Sequence, residues 1–172
     1  MVAVSIHRLN HAVLYIRDVE RSVAFYRDVL GFEVVMAIPE RAAFLRADGS
    51  TNDHDLGLFA VGSAAGASGA GRSTVGLYHL AWEVDTLAEL GRVAAVLAER
   101  GALVGASDHG TTKALYARDL DGLEFEVSWL VPAALITPDL TMRTSPLDLD
   151  AEIARYGADT PGGIGVSTAA LS

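Results

Sequence analysis

Asn10-His11-Ala12-Val13-Leu14-Tyr15-Ile16 opens an apolar strand that runs into Asp18, an amphipathic stretch and the pair Leu30-Gly31. Tyr78-His79-Leu80-Ala81-Trp82-Glu83-Val84 opens another, which runs into Asp85, a second amphipathic stretch and the pair Arg100-Gly101. The histidines at 11 and 79 hold the same place in the two copies. Duplicated units generally pack about a pseudo-twofold axis, and residues at matching positions converge on it. Two neutral imidazoles brought together in this way need only a carboxylate to hold a transition metal. Glu126, on the last expected strand of the second copy, supplies one.

Working outward, each copy reads strand, helix, then three strands. In the first, residues 9–16 are the strand, and Asp18 is placed to cap a helix. Val19, Val23, Phe25, Tyr26, Val29 and Leu30 form its apolar stripe, and Gly31 closes it. Residues 32–38, 42–47 and 55–61 follow as strands, with turns at Pro39-Glu40 and Asp48-Gly49-Ser50. In the second, residues 77–84 are the strand. Residues 85–100 are a helix carrying Leu87, Leu90, Val93, Ala94 and Leu97 on its stripe. Residues 103–106, 112–118 and 123–130 are strands, the last two joined through an Asp-Gly turn at Asp121-Gly122. Residues 62–76 are rich in Gly, Ala and Ser. They have neither the strand-to-helix context nor the Lys-Ser/Thr ending of a phosphate cradle, and they read as a flexible linker.

The expected organisation is therefore one domain over residues 1–132, with module 1 at about 7–61, the linker at 62–76 and module 2 at about 77–131. A tail covers 133–172, punctuated by Pro138, Pro146, Pro161 and Gly162-Gly163. Within it residues 148–156 suit a short helix, and the rest is expected to wrap a neighbour, cover a cleft or stay disordered.

Strand side chains alternate between faces. Ala12, Leu14 and Ile16 share the apolar face of the first strand, with His11 opposite. His79, Ala81 and Glu83 oppose Tyr78, Leu80 and Trp82, and Glu124, Glu126 and Ser128 oppose Phe125, Val127 and Trp129. His11, His79 and Glu126 thus point away from the helix-covered faces. A lone strand histidine is ordinarily a hydrogen-bonded core residue. Two at matched repeat positions with an inward glutamate reverse that weighting. Two His and one carboxylate leave adjacent positions open on a metal, which suits Fe(II) oxygen chemistry; Mn(II), Ni(II) and Zn(II) fit the same set. The fold class expected is α+β: two βαβββ modules forming a curved mixed sheet around a metal-binding cup, helices outside.

The bulk numbers narrow the partners. Among 172 residues 51% are hydrophobic, and the net charge is −9 with no basic run, which argues against nucleic acid or an anionic membrane. There is no cysteine, hence neither disulfide nor thiolate chemistry. The N-terminus lacks a basic segment followed by an apolar one, and no apolar run approaches the ~18 residues of a membrane span. A cytoplasmic protein is the expectation.

Paired modules with these ligands resemble the vicinal oxygen chelate superfamily, which includes glyoxalase I, extradiol ring-cleaving dioxygenases, fosfomycin-modifying enzymes and bleomycin-binding proteins. The resemblance covers roughly residues 7–131. Within it, one segment is similar to the extradiol, or catechol 2,3-, dioxygenases. It reads His109, five residues, Leu115-Tyr116, then Asp119-Leu120-Asp121-Gly122 and Glu126, with Leu120 where the signature has Pro and Ser107 unusual at the motif's start.

This resemblance implies an Fe(II)-dependent dioxygenase acting on a catechol-type substrate with O₂, in a homo-oligomer, dimer or larger. His54 is implied as a catalytic acid/base on the last strand of module 1. His109 and Tyr116 are implied as substrate-orienting residues, with apolar side chains around Val13 and Phe44 lining the ring pocket. His7 is expected on the surface. A glyoxalase-like isomerase or transferase demands a fourth ligand on the last strand of module 1. The stretch Leu56-Gly57-Leu58-Phe59 has none, so Asp55 or His54 is left for that task. A protein that sequesters an aromatic drug is the non-enzymatic alternative.

Overall fold

The computed structural model describes residues 5–6, 8–71, 73–137, 140 and 143–163. His7 and Pro138 lie outside the described residues. The chain divides into two compact units, Met1–Ala67 and Ser68–Ser172.

The first unit begins with β1 (Ala12–Ile16) and α1 (Val19–Leu30), followed by β2 (Glu33–Ile38), β3 (Ala42–Arg46) and β4 (Leu56–Ala60). Asp18 caps α1, its carboxylate accepting from the Arg21 amide at 2.8 Å. Gly31 ends the helix at φ 70°, a left-handed conformation that a side chain would strain. The sheet order is β1-β4-β3-β2, with β1 parallel to β4 and the other pairs antiparallel. Leu14, Ile16, Leu45, Leu56 and Leu58 bury one face of this sheet with Val19, Phe25, Tyr26 and Val29 of α1. Val13 and Tyr15 on the alternate positions of β1 are exposed, as the alternation requires.

The second unit repeats the plan. It comprises β5 (Leu80–Glu83), α2 (Leu87–Glu99), β6 (Leu103–Asp108), β7 (Thr112–Arg118) and β8 (Glu124–Leu130). Thr86, one residue past the expected start, caps α2 by accepting from the Glu89 amide at 3.2 Å. Again the first strand lies parallel to the last, with Trp82 level with Val127. Gly101 closes this copy at φ 64°. Leu87, Leu90 and Leu97 of α2 are fully buried, as are Val127 and Trp129 of β8.

The architecture is α+β with two βαβββ modules, each building its own mixed sheet. Beyond Pro132 the chain adds a short 3₁₀ turn, β9 (Ser145–Pro146) and α3 (Leu149–Tyr156). β9 pairs antiparallel with β6, so the sheet order is β5-β8-β7-β6-β9. Asp148 caps α3. Lys113 of β7 is completely buried, and its ammonium lies 2.5 Å from Asp108 and 2.9 Å from Glu152 of α3. Trp129 donates its indole N–H to the Thr160 carbonyl at 3.2 Å. Among the described residues no helix is long and apolar enough to cross a membrane.

Candidate metal and substrate site

In the first unit, His11 sits one residue ahead of β1. His54 lies in the turn before β4, not on the strand itself, because Ser50, Asn52 and Asp55 tie that turn into a compact loop. Parallel pairing matches Ala12 with Leu56, which brings the turn beside the strand start. The two imidazoles stand 4.6 Å apart between ring centroids, tilted by 34°. The Asn10 side-chain oxygen lies 2.7 Å from His11 Nδ1. An amide oxygen only accepts, so Nδ1 carries the proton and Nε2 presents a lone pair. Asp53 does the same for His54, its carboxylate 3.0 Å from Nδ1. That hydrogen bond is the chief reason the Asp53 carboxyl is held below its ordinary range. Beside the pair, the edge of Phe44 meets His54 at 5.1 Å and Phe59 at 5.7 Å. A Cβ at Gly57 would come within 3.3 Å of Val13 and 3.7 Å of Phe44, so the glycine leaves an apolar hollow there.

Asp55 is buried and committed to the turn. One carboxylate oxygen accepts from the Ala47 amide at 2.9 Å, the other from the Ser50 hydroxyl at 2.8 Å and the Asn52 amide at 2.6 Å. Its lone pairs are spent on backbone shape.

In the second unit, His79 again sits one residue ahead of its strand. Its Nε2 lies 3.2 Å from Glu126 Oε2. Two donor atoms each bonded to one first-row ion at about 2.0–2.2 Å stand roughly 3 Å apart when they occupy adjacent corners, so this spacing suits a shared cation. Tyr116 of β7 is the cross-strand partner of Glu126. Burial first, then the charge of Glu126, push the Tyr116 phenol above its ordinary pKa, so it stays a neutral O–H through the physiological range. His109 sits in the tight turn between β6 and β7, closed by its own amide donating to the Thr112 carbonyl at 2.9 Å. Its Nε2 is 2.8 Å from the Tyr116 hydroxyl and its Nδ1 is 3.2 Å from the Thr144 hydroxyl.

The first unit therefore gathers His11 and His54, and the second gathers His79, Glu126, Tyr116 and His109. Among the described residues no group of three or more His, Cys, Asp or Glu is assembled at metal-binding spacing. Each unit presents part of the expected set. Asp53 and Thr144 were not singled out from sequence. Asp53 is adjacent to His54 and carried a readable signal, whereas Thr144 lies 35 residues from its partner in a stretch without periodicity.

Residues 8–127 match the Glyoxalase/Bleomycin resistance protein/Dioxygenase superfamily. The chain belongs to that superfamily. A protein of Bacillus subtilis (strain 168) named catechol-2,3-dioxygenase is 38% identical over 126 residues, which are 72% of this chain and 42% of the relative. Metapyrocatechase 2 of Cupriavidus necator is 33% identical over 94 residues, 55% of this chain and 26% of the relative. The chain thus spans less than half the length of these curated relatives. Among solved structures, the glyoxylase/bleomycin resistance protein/dioxygenase domain from Frankia sp. EAN1pec aligns with TM-score 0.60 at 21% identity, over 72% of this chain and 92% of that one. The fosfomycin resistance protein FosX of Listeria monocytogenes aligns with TM-score 0.54 at 16% identity, over 72% and 93%. These superfamily structures share the fold.

Proposed function

We propose that this protein is an Fe(II)-dependent extradiol dioxygenase acting on a catechol-type substrate with O₂, working as a cytoplasmic homo-oligomer, with His11, His79 and Glu126 holding the metal. The observation that carries the reading is the cluster on β7 and β8. There Glu126 meets His79 at 3.2 Å, and its cross-strand neighbour Tyr116 meets His109 at 2.8 Å. A metal-ligand pair and a substrate-orienting pair share one sheet face. The 38% identity to a protein named catechol-2,3-dioxygenase supports the same reading.

A metal held by His11, His79 and Glu126 would supply the electron transfer between a catechol and O₂. His11 and His79 each offer a neutral ring nitrogen, and Glu126 offers the single negative charge. His54 is the acid/base. With Asp53 holding the proton on Nδ1, its Nε2 is free to take a catechol proton and to return it to the departing oxygen. Tyr116 and His109 exchange their resting hydrogen bonds for the substrate oxygens and fix the ring's orientation. Val13 and Phe44 supply its apolar wall.

A non-redox isomerase or transferase of the glyoxalase kind is the second reading, and the commitment of Asp55 to its turn weighs against it. Anaerobic loading with Fe(II), followed by air and a panel of catechols, tests the choice. The expected result is O₂ uptake with a yellow ring-opened product. Metal-dependent turnover without O₂ uptake overturns the dioxygenase in favour of the isomerase or transferase. Binding of aromatics without turnover, indifferent to a chelator, points to a sequestering protein.

A further inference from the structure

The residues after Pro132 lie outside the repeat, yet the described part of them reaches the candidate substrate pair. β9 hydrogen-bonds along β6 at Ser107 and Asp108, the two residues just before His109. Arg143 bonds Asp108 at 3.0 Å. α3 is anchored from below by the buried Lys113, which joins Asp108 to Glu152. Between these anchors Thr144 meets His109 Nδ1 at 3.2 Å.

The donor inventory fixes the direction of each bond. Tyr116 has one hydroxyl proton, and its cross-strand neighbour Glu126 is a carboxylate that can only accept. The Tyr116 hydroxyl hydrogen-bonds the Glu126 side chain, so its proton goes to that carboxylate. The phenol oxygen is left to accept, so His109 must carry its proton on Nε2 and donate at 2.8 Å. Its Nδ1 is then a bare lone pair, and the Thr144 hydroxyl is the donor that meets it. The series runs from Thr144 to His109 to Tyr116 to Glu126, every proton pointing toward the candidate ligand.

Resting on the functional reading above, we infer that the C-terminal segment is a positioning strap for the substrate pair. Thr144 is its positioning residue, donating to His109 Nδ1 and so holding that ring as an Nε2–H donor to Tyr116. The strap belongs to the working site, and its removal is expected to slacken substrate orientation while leaving the metal ligands in place.

The test uses the full chain labelled with ¹⁵N-histidine, without metal or substrate, comparing the parent with Thr144→Val and Thr144→Ser. The His109 ring signals are assigned by their loss in His109→Gln. The expected parent spectrum shows His109 protonated on Nε2, with Nδ1 shifted upfield by an accepted hydrogen bond. Thr144→Val is expected to move Nδ1 to the free-imine position, and Thr144→Ser to restore it. In the iron-loaded enzyme Thr144→Val is expected to lower kcat/KM for catechol roughly three- to tenfold, the size of one neutral hydrogen bond, with iron content unchanged. A parent protonated on Nδ1, or His109 shifts that Thr144→Val leaves unmoved, overturns the strap. If the parent cleaves no catechol, the dioxygenase reading falls, and the ring-nitrogen spectra decide the strap by themselves.

Discussion

At the scale of single residues, chemistry is set by which atom carries a proton. Asn10 and Asp53 are acceptors placed at Nδ1 of His11 and His54, and both leave Nε2 available. The roles proposed for the two rings follow from their neighbours. His11 sits just ahead of a strand in the repeat position of His79, while His54 stands against Phe44, whose ring borders Gly57. His54→Ala is expected to lower kcat by roughly 10²–10⁴, the usual worth of a positioned acid/base, with iron content near the parental value. Loss of iron in that variant, read by metal analysis, would make His54 a ligand. Tyr116→Phe carries a different signature. The raised phenol pKa means that the folded state holds this proton more tightly than the unfolded one. Stability therefore falls as pH rises through the unfolded value of ~10. In an absorbance titration Tyr116→Phe is expected to remove a late-ionising phenol from the parent curve. The repeat made His11 and His79 legible in the chain. Thr144 was not, because a contact across 35 residues leaves no local pattern.

At the scale of elements, β7 shows how a strand can contradict its own alternation. Lys113 shares the buried face with Leu115 and Ala117, where a cation is tolerated only with full pairing. Burial works to raise the Asp108 pKa. Hydrogen bonds from Lys113, then Arg143, then the Gly110 amide overcome it and hold the carboxyl at about 2. The unfolded value is ~3.9, so this carboxylate contributes stability that is complete above that pH and fades as pH falls through about 2. Acid unfolding of the parent is expected to show this limb, worth on the order of 2 kcal/mol, and Asp108→Asn to flatten it. Lys113→Met leaves Asp108 and Glu152 buried without their shared cation. The expected cost is about 3–5 kcal/mol, or an unfolding midpoint lower by roughly 6–20 °C in a thermal melt. A midpoint within a degree or two of the parent would show that α3 does not depend on the ion pair. α3 itself was legible over residues 148–156, because its cap and charge pattern are local. The partner it docks on was not, because nothing local in residues 148–156 names a lysine on β7.

At the scale of the whole molecule, the repeat spreads the proposed ligands over two units, so metal binding is expected to stabilise both together. A divalent ion at about a hundredfold its dissociation constant adds roughly 2.7 kcal/mol. The expected outcome is one cooperative melt shifted upward by Fe(II) or Mn(II), reversed by a chelator, and lost in both His11→Ala and His79→Ala. A shift that survives His11→Ala would confine the metal to the second unit. The affinity is also expected to weaken as pH falls, because protons compete with the ion for imidazole nitrogens. Periodicity and capping residues are local properties, and they were enough to determine two βαβββ modules and the helix ends at Gly31 and Gly101. Tertiary structure alone decided that each module closes its own sheet and that Asp55 is consumed by a turn. It also decided that Lys113 is buried and that the segment after Pro132 runs back along β6 to His109. Those outcomes depend on which distant groups meet, and hydrogen-bond satisfaction and burial are settled only when the chain has folded.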